Sequence, residues 1–263
     1  MSERRLSALI LDLDGVLYVG ETPVEGVAEF MERWRKKGKK VAFVTNNSSL
    51  SRRDYARKLG RMGIAAQPEE VFTSGYLTAE YLRRRSPGAR VYVVGERGLR
   101  EELKKVGMRL VGGDGVEGAD YVVVGIDRGF TYRKLEEAFR ALRAGAVFLA
   151  TNADPSYPTE RGLLPGAGAL VSALSFSSGR RPLILGKPST GLYRMALGFL
   201  GTEPGETAAV GDRLDLDVRP AKRLGMVSIL VLSGVTGPES LKGLKREERP
   251  DMVLDRLPEL VVE

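Results

Sequence analysis

Two aspartates near the amino terminus stand one residue apart in the segment Leu11-Asp12-Leu13-Asp14-Gly15. Alternate side chains of an extended strand point to the same side, so both carboxylates would face one site. They repel each other unless a cation lies between them, and a divalent cation would also neutralise an incoming phosphate. One carboxylate could then attack phosphorus, while the other protonates the leaving oxygen and later activates water. The alternative is a strand-end turn, where Asp and Gly are common for conformational reasons.

Two later segments offer groups that bind anions. Thr45-Asn46-Asn47 supplies hydroxyl, amide and backbone N–H donors where a strand passes into a helix. Such a junction can hold a phosphate, or its side chains can simply cap the helix. Lys187 follows an apolar run and Gly186. A buried lysine costs free energy unless it meets an anion such as phosphate or Asp12, although a lysine on a loop can also reach solvent.

Three further carboxylates lie in the segment Gly211-Asp212-Arg213-Leu214-Asp215-Leu216-Asp217. Asp212 directly follows an apolar run and is the natural metal ligand of the three. Asp217, about one helical turn later, could stand behind it as a partner for Lys187 or for a metal-bound water. Asp215 is better interpreted as a solvated carboxylate at a helix start.

The absence of two residue types narrows the chemistry. Among 263 residues there is no Cys and no His. This excludes disulfides, a cysteine nucleophile, a thiolate zinc site and a Ser-His-Asp triad. Any metal must be held by oxygen, which favours Mg²⁺, Mn²⁺ or Ca²⁺.

The net charge of +7 raises the question of a nucleic-acid partner. The basic residues are dispersed and alternate with Glu on predicted helices, so solvated helix faces are favoured and no nucleic-acid partner is predicted. The apolar run Leu6 to Leu11 is too short for a signal-peptide core or a membrane span. We therefore expect a cytoplasmic protein without a membrane partner.

Short apolar runs, each followed by a turn and a segment of helical period, predict an α/β protein with a doubly wound parallel sheet. Four predicted strands end at Asp12, Thr45, Lys187 and Asp212. Because ligands bind at the carboxyl edge of such sheets, these four segments are expected to converge on one site. The predicted strands of this sheet are 8–11, 41–44, 183–185, 208–210, 227–232 and 252–254.

About 140 residues separate Asn47 from Lys187, too many for one helical crossover. This stretch has its own alternation of strands (90–94, 121–124, 147–150) and helices (99–106, 132–144, 168–175). We interpret it as a smaller α/β domain inserted into the first. The predicted domains are 1–86 and 182–263 for the two parts of the core and 87–181 for the insertion.

The four segments together resemble the motifs of the haloacid dehalogenase (HAD) phosphatase superfamily. The closer resemblance is to its NagD-like, or 4-nitrophenylphosphatase-like, branch, which carries an inserted α/β cap of type IIA between the second and third motifs. Further segments that resemble this branch are Thr151-Asn152-Ala153-Asp154-Pro155, Leu164-Pro165-Gly166-Ala167-Gly168 and Gly186-Lys187-Pro188-Ser189.

The resemblance implies a role for each segment. Asp12 would attack a small phosphate monoester to give an aspartyl phosphate, and Asp14 would act as general acid and then base. Mg²⁺ would be held by the Asp12 carboxylate, the Asp14 backbone carbonyl and the Asp212 carboxylate. Finally, the phosphoryl oxygens would be held by Thr45, Asn46, Asn47 and Lys187, with Asp217 supporting Lys187 and the metal. Leu216 stands where this branch usually has Thr, which predicts a local packing change without loss of activity.

In the same branch a cap loop faces the core site and selects the substrate, and it corresponds to residues 154–161. Tyr157 would stack on or hydrogen-bond the leaving group, and Arg161 would meet a second anion. Alternatively, Pro155 and Pro158 stiffen a connecting loop that Tyr157 anchors by packing. The cap surface could also serve as a dimer interface.

Two other functions use similar residues. A phosphate-accepting signalling module also places acidic residues, Thr and Lys around Mg²⁺, but is about half as long and needs no cap. A dehalogenase of the same fold needs no metal, which would leave Asp14 and Asp212 unexplained. The sequence thus favours a magnesium-dependent phosphatase and leaves open sugar phosphates, nucleoside monophosphates, phosphoglycolate and pyridoxal phosphate as substrates.

Overall fold

The computed structural model describes residues 6–159 and 162–261, which form an α/β protein. The helices are α1 (Val27–Lys36), α2 (Arg52–Arg61), α3 (Ser74–Arg85), α4 (Arg97–Lys105), α5 (Tyr132–Arg143), α6 (Ala167–Ser178), α7 (Gly191–Leu200) and α8 (Arg219–Arg223). The strands are β1 (Ala8–Asp12), β2 (Tyr18–Val19), β3 (Thr22–Pro23), β4 (Lys40–Thr45), β5 (Val71–Thr73), β6 (Arg90–Val94), β7 (Arg109–Val111), β8 (Tyr121–Val124), β9 (Val147–Ala150), β10 (Ser156–Thr159), β11 (Gly162–Pro165), β12 (Leu183–Ile184), β13 (Thr207–Gly211), β14 (Val227–Val231) and β15 (Met252–Leu254).

The larger sheet has six strands in the order β15-β14-β13-β1-β4-β5, and every pair in it is parallel. Alternate residues of β1 enter two buried layers. Leu9 and Leu11 pack with α1 on one face, whereas Ala8 and Ile10 pack with α7 on the other. The sheet is therefore covered by helices on both faces, and the predicted doubly wound architecture is confirmed.

The helix α1 illustrates how the sequence produces one of these layers. Its buried residues Val27, Phe30, Met31 and Trp34 recur at helical spacing and form a single apolar face. The Trp34 indole N–H also donates to the Lys40 carbonyl oxygen at 2.9 Å. The helix is thereby fixed against the start of β4, whose far end carries Thr45.

The second sheet has five parallel strands in the order β12-β9-β8-β6-β7. Its strands β6, β8 and β9 have the bounds that the sequence predicted. Buried layers also cover both of its faces. An inserted α/β unit is thus present, while the boundaries 1–86, 87–181 and 182–263 stay a prediction.

One sequence prediction about strands is wrong. The run 183–185 was assigned to the larger sheet, but Leu183–Ile184 pairs with β9 at the edge of the second sheet and is exposed. A short apolar run carries no information about which sheet it joins. The predicted cap loop 154–161 contains one arm of an antiparallel hairpin, in which Tyr157 lies opposite Leu164.

The two sheets are joined closely where α4 meets the loop after β4. The Gly98 N–H donates to the Ser49 carbonyl oxygen at 3.0 Å, and the Arg52 N–H donates to the Glu102 carboxylate at 3.0 Å. A Cβ atom on Gly98 would lie 2.2 Å from the carbonyl carbon of Leu50. Only a glycine allows the helix to approach the loop this closely.

Replacement of Gly98 by Ala is therefore expected to lower the free energy of unfolding by about 1–3 kcal/mol, the usual cost of overpacking. Gly60→Ala is the matched control, because Gly60 is also helical and a Cβ there meets no atom within 4 Å. The control should gain up to about 1 kcal/mol from helix propensity. Denaturant unfolding of both variants tests this, and a Gly98→Ala protein as stable as the wild type would contradict it.

Candidate active site

Asp12 ends the central strand β1 and is 7% exposed. Its Oδ1 accepts a hydrogen bond of 2.8 Å from the Lys187 ammonium. Burial raises the pKa of Asp12 well above its usual value; Lys187 opposes this shift, and Asp217 and Asp212 add to it. Ionisation of Asp12 therefore costs free energy unless a second cation joins Lys187 beside it.

Asp14 lies two residues beyond the end of β1, just before a turn. The chain reverses at Gly15, whose φ of 81° is in the left-handed region that favours glycine. Burial raises the pKa of Asp14 to about 6, against the opposing charges of Lys58 and Lys187. The Lys58 ammonium is fixed by the Gly20 carbonyl oxygen at 2.7 Å. Asp14 is thus a carboxyl group that can exchange a proton near neutral pH.

Asp212 follows β13, the strand that pairs with β1. Its Oδ2 accepts a 2.7 Å hydrogen bond from the Val235 N–H. A Cβ on Gly15 or Gly234 would lie 2.6 Å or 2.1 Å from that oxygen. Burial raises the pKa of Asp212 to about 6, and Asp217 adds to the shift. Two glycines therefore leave space for this carboxylate beside Asp12.

Asp217 lies in a π-helical turn, Leu214–Val218. Its Oδ1 accepts from Lys187 at 2.6 Å and from the Tyr193 hydroxyl at 3.0 Å, and its Oδ2 accepts from the Arg213 N–H at 3.1 Å. A Cβ on Gly211 would lie 2.2 Å from the Asp217 Cβ. The carboxylate consequently occupies the space that a side chain at 211 would fill.

The chemistry of these residues fits a divalent cation. Asp12, Asp212 and Asp217 each offer a carboxylate oxygen within 4.8 Å of the others. Lys187 is the cation that contacts two of them; burial alone would lower its pKa, but Asp12 and Asp217 raise it. Three carboxylates facing one ammonium leave two negative charges, which a hard cation with oxygen ligands would balance. The carboxylate of Asp14 is not part of this trio.

The two asparagines that follow β4 make hydrogen bonds within the protein. The Asn46 Nδ2 donates to both Asp154 oxygens at 3.1 Å and to the Lys187 carbonyl oxygen at 3.1 Å, and its Oδ1 accepts from the Lys187 N–H at 2.8 Å. The Asn47 Oδ1 accepts from the Ser49 N–H, and Thr45 Oγ1 accepts from the Asn47 N–H, both at 3.0 Å. The Asn46 side chain therefore orients Lys187 and has no spare donor for a phosphate.

A cleft of about 620 Å³, its open mouth included, connects this site to the inserted unit. Tyr157, on the hairpin, lies in its wall. Arg161, the other predicted substrate contact, lies outside the described residues. Leu216 is buried in the same wall, as expected for a packing position. The predicted residues that line this cleft are Asp12, Asp14, Thr45, Asn46, Asn47, Tyr157, Lys187, Asp212 and Asp217.

Three residues that interact with the site residues were not predicted from the sequence. Tyr193 stands among apolar residues of α7, and nothing in that pattern shows that its hydroxyl reaches Asp217. Asp154, the first residue of the predicted cap loop, had no role of its own in the prediction, and its carboxylate accepts a hydrogen bond from the Asn46 amide. Lys58 interrupts the apolar face of α2, and a buried lysine on such a face is a signal that could have indicated a nearby acid.

The acidic site lies at the carboxyl edge of a doubly wound sheet and below an inserted α/β unit, which is the architecture of a capped hydrolase. Residues 9–109 match the haloacid dehalogenase-like hydrolases, and residues 184–260 match a profile described as HAD-hydrolase-like. The chain belongs to the haloacid dehalogenase-like hydrolase family, as its four motifs predicted.

Individual relatives support the same assignment over nearly the whole chain. The 5'-nucleotidase YutF of Bacillus subtilis is 40% identical over 252 residues, 96% of each protein. The 4-nitrophenylphosphatase of Thermotoga maritima has a TM-score of 0.90 at 38% identity, over 98% of each chain. A glycerol phosphate phosphatase of Mycobacterium tuberculosis in complex with magnesium has a TM-score of 0.86 at 36% identity, over 95% of this chain and 74% of that one. These names all denote phosphoric monoester hydrolases, the class of enzyme to which this chain is similar.

Within residues 6–159 and 162–261, the structure contains no helix that is long and apolar enough to cross a membrane.

Proposed function

We propose that this protein is a magnesium-dependent phosphatase that hydrolyses small phosphate monoesters through an aspartyl phosphate on Asp12. The observation that carries the proposal is the position of Asp12. It ends the central strand, faces the cleft, contacts Lys187 at 2.8 Å and has two carboxylates nearby. A nucleophilic oxygen, an anion-binding cation and a cation-binding acidic cluster thus meet at one point.

In the first half-reaction an Asp12 oxygen attacks phosphorus while the bond from phosphorus to the ester oxygen breaks. Asp14 gives its proton to that leaving oxygen. In the second half-reaction Asp14 takes a proton from water as the water oxygen attacks phosphorus. The bond from phosphorus to Asp12 then breaks, which releases inorganic phosphate and restores the carboxylate.

The remaining residues bind and orient. The Lys187 ammonium would hold a phosphoryl oxygen, with Thr45 and neighbouring backbone N–H groups as further donors. Mg²⁺, held by the Asp12 and Asp212 carboxylates and the Asp14 carbonyl oxygen, would supply charge neutralisation for the phosphoryl group. Tyr157 in the cleft wall supports a role of the hairpin in contacting the leaving group.

The decisive experiment is release of phosphate from 4-nitrophenyl phosphate with Mg²⁺, after EDTA treatment, and after Mg²⁺ is restored. We expect EDTA to abolish turnover and Mg²⁺ to restore it, because the three clustered carboxylates otherwise repel each other and the substrate. A thermal melt of the EDTA-treated protein is the control for folding. Activity that survives EDTA would favour the metal-independent dehalogenase chemistry, and stoichiometric phosphorylation without turnover would favour a phosphate-accepting module.

A further inference from the structure

A chain of hydrogen bonds links the helix α7 to Asp12. The Tyr193 side chain is 1% exposed, and its hydroxyl donates to Asp217 Oδ1 at 3.0 Å. The same oxygen accepts from the Lys187 ammonium at 2.6 Å, and that ammonium donates to Asp12 Oδ1 at 2.8 Å. The phenol therefore stands two hydrogen bonds away from the group that would bind phosphate.

The other oxygen of Asp217 is held by the backbone, since it accepts from the Arg213 N–H at 3.1 Å. Gly211 provides the space for the carboxylate but no donor from a side chain. Tyr193 and Lys187 are the donors that reach Oδ1 among the described residues. Without the phenol, Oδ1 would be fixed by Lys187 alone, whose own four-carbon chain is flexible.

We propose that Tyr193 is a positioning residue that holds Asp217 so that Lys187 stays directed at the phosphoryl group. This inference rests on the proposed function. The Tyr193 hydroxyl and the Lys187 ammonium donate to the same oxygen, so the hydroxyl fixes the position of the oxygen toward which the ammonium is directed. Removal of a residue that hydrogen-bonds a ligand-contacting group, without touching the ligand itself, typically lowers affinity or activity by about 10–100-fold.

The ring and the hydroxyl of Tyr193 have separable roles. The ring packs in the buried layer of the larger sheet beside Leu192, Ala196 and Ile10, as any large apolar side chain could. Only the hydroxyl reaches Asp217. Replacement by Phe retains the ring, so it removes the positioning contact and leaves the packing in place.

The test measures binding of inorganic phosphate with saturating Mg²⁺, and binding of Mg²⁺ alone, by titration calorimetry. Tyr193→Phe should bind phosphate about tenfold more weakly and lose less affinity for Mg²⁺ than for phosphate, because the hydroxyl contacts Asp217 and not the Asp12 and Asp212 carboxylates that would hold the metal. Tyr121→Phe is the matched control: Tyr121 is a buried residue of β8 in the second sheet, and its hydroxyl makes a partly buried hydrogen bond of 2.7 Å with Ser86 Oγ. The control should change neither affinity, although both variants lose one hydrogen bond of a tyrosine hydroxyl.

A double-mutant cycle with Lys187→Met identifies the route. If Tyr193 acts through Lys187, its hydroxyl should contribute nothing to phosphate affinity once the ammonium is absent. Unchanged phosphate binding in Tyr193→Phe, an equal loss of Mg²⁺ affinity, or the same loss in the Lys187→Met background would each overturn the proposal. If the proposed function were wrong, a variant without the Asp12 carboxylate would still turn over substrate. The binding measurements do not depend on turnover, so the two failures can be distinguished.

Discussion

Replacement of Asp12 by Asn is expected to abolish turnover while the protein remains folded. Asn lacks the anionic oxygen that would attack phosphorus, and loss of a nucleophile in covalent catalysis can lower kcat by about 10⁶-fold. Folding should be preserved, because an amide can still accept the hydrogen bond from Lys187 and no longer repels Asp212 and Asp217. Without metal, the variant should melt at or above the wild-type temperature.

The measurement is hydrolysis of 4-nitrophenyl phosphate at saturating Mg²⁺, with a thermal melt of the same preparation. Asp114→Asn is the matched control, since Asp114 is an exposed carboxylate of the inserted unit. It should retain wild-type activity. If Asp12→Asn kept more than a few per cent of the activity, covalent catalysis by Asp12 would be wrong.

Replacement of Asp14 by Asn is expected to lower kcat by about 10²–10⁴-fold, the usual contribution of general acid–base catalysis. The loss should depend on the leaving group. A 4-nitrophenolate leaves readily without a proton, whereas an alkyl alcohol such as glycerol needs one. Hydrolysis of glycerol phosphate should therefore fall further than hydrolysis of 4-nitrophenyl phosphate.

The two half-reactions give a second measurement for Asp14→Asn. With 4-nitrophenyl phosphate the attack by Asp12 would remain fast while activation of water would be slow. A burst of nitrophenolate and a phosphorylated protein detectable by intact mass are expected, and Asp12→Asn should show neither. Equal losses for both substrates, with no burst, would exclude Asp14 as the group that moves the proton.

The sequence predicted the larger sheet well because most of its strands are apolar runs, and three of them lead directly into chemically distinctive residues. β1, β4 and β13 end beside Asp12, Thr45 and Asp212, and parallel pairing brings those ends to one edge. β5 was missed because its three residues, Val71, Phe72 and Thr73, are too few after Pro68–Glu70 to give a periodic signal. β12 was assigned to the wrong sheet because its partner is decided by tertiary contacts.

The side-chain roles were less predictable than the positions. An asparagine beside a strand end can bind phosphate or protein groups equally well, and its residue type does not distinguish them. In the structure Asp154 and Lys187 engage the whole Asn46 amide, and Asp154 is distant in sequence. The contact of the Tyr193 hydroxyl was not predicted either, because apolar periodicity accounts for burial of the ring and does not show what the hydroxyl oxygen contacts.

The contact between Gly98 and the loop at Leu50 has a consequence for engineering. The inserted unit is seated on the segment that carries Thr45 through Asn47, and Asn152 of that unit also donates to the Asn46 carbonyl oxygen at 2.6 Å. The inserted unit thus contacts the core directly and is not joined to it by its linkers alone. A chimera that grafts a foreign insertion onto this core should retain the geometry of the loop proposed to bind phosphate only if counterparts of Gly98 and Asn152 are transferred with it.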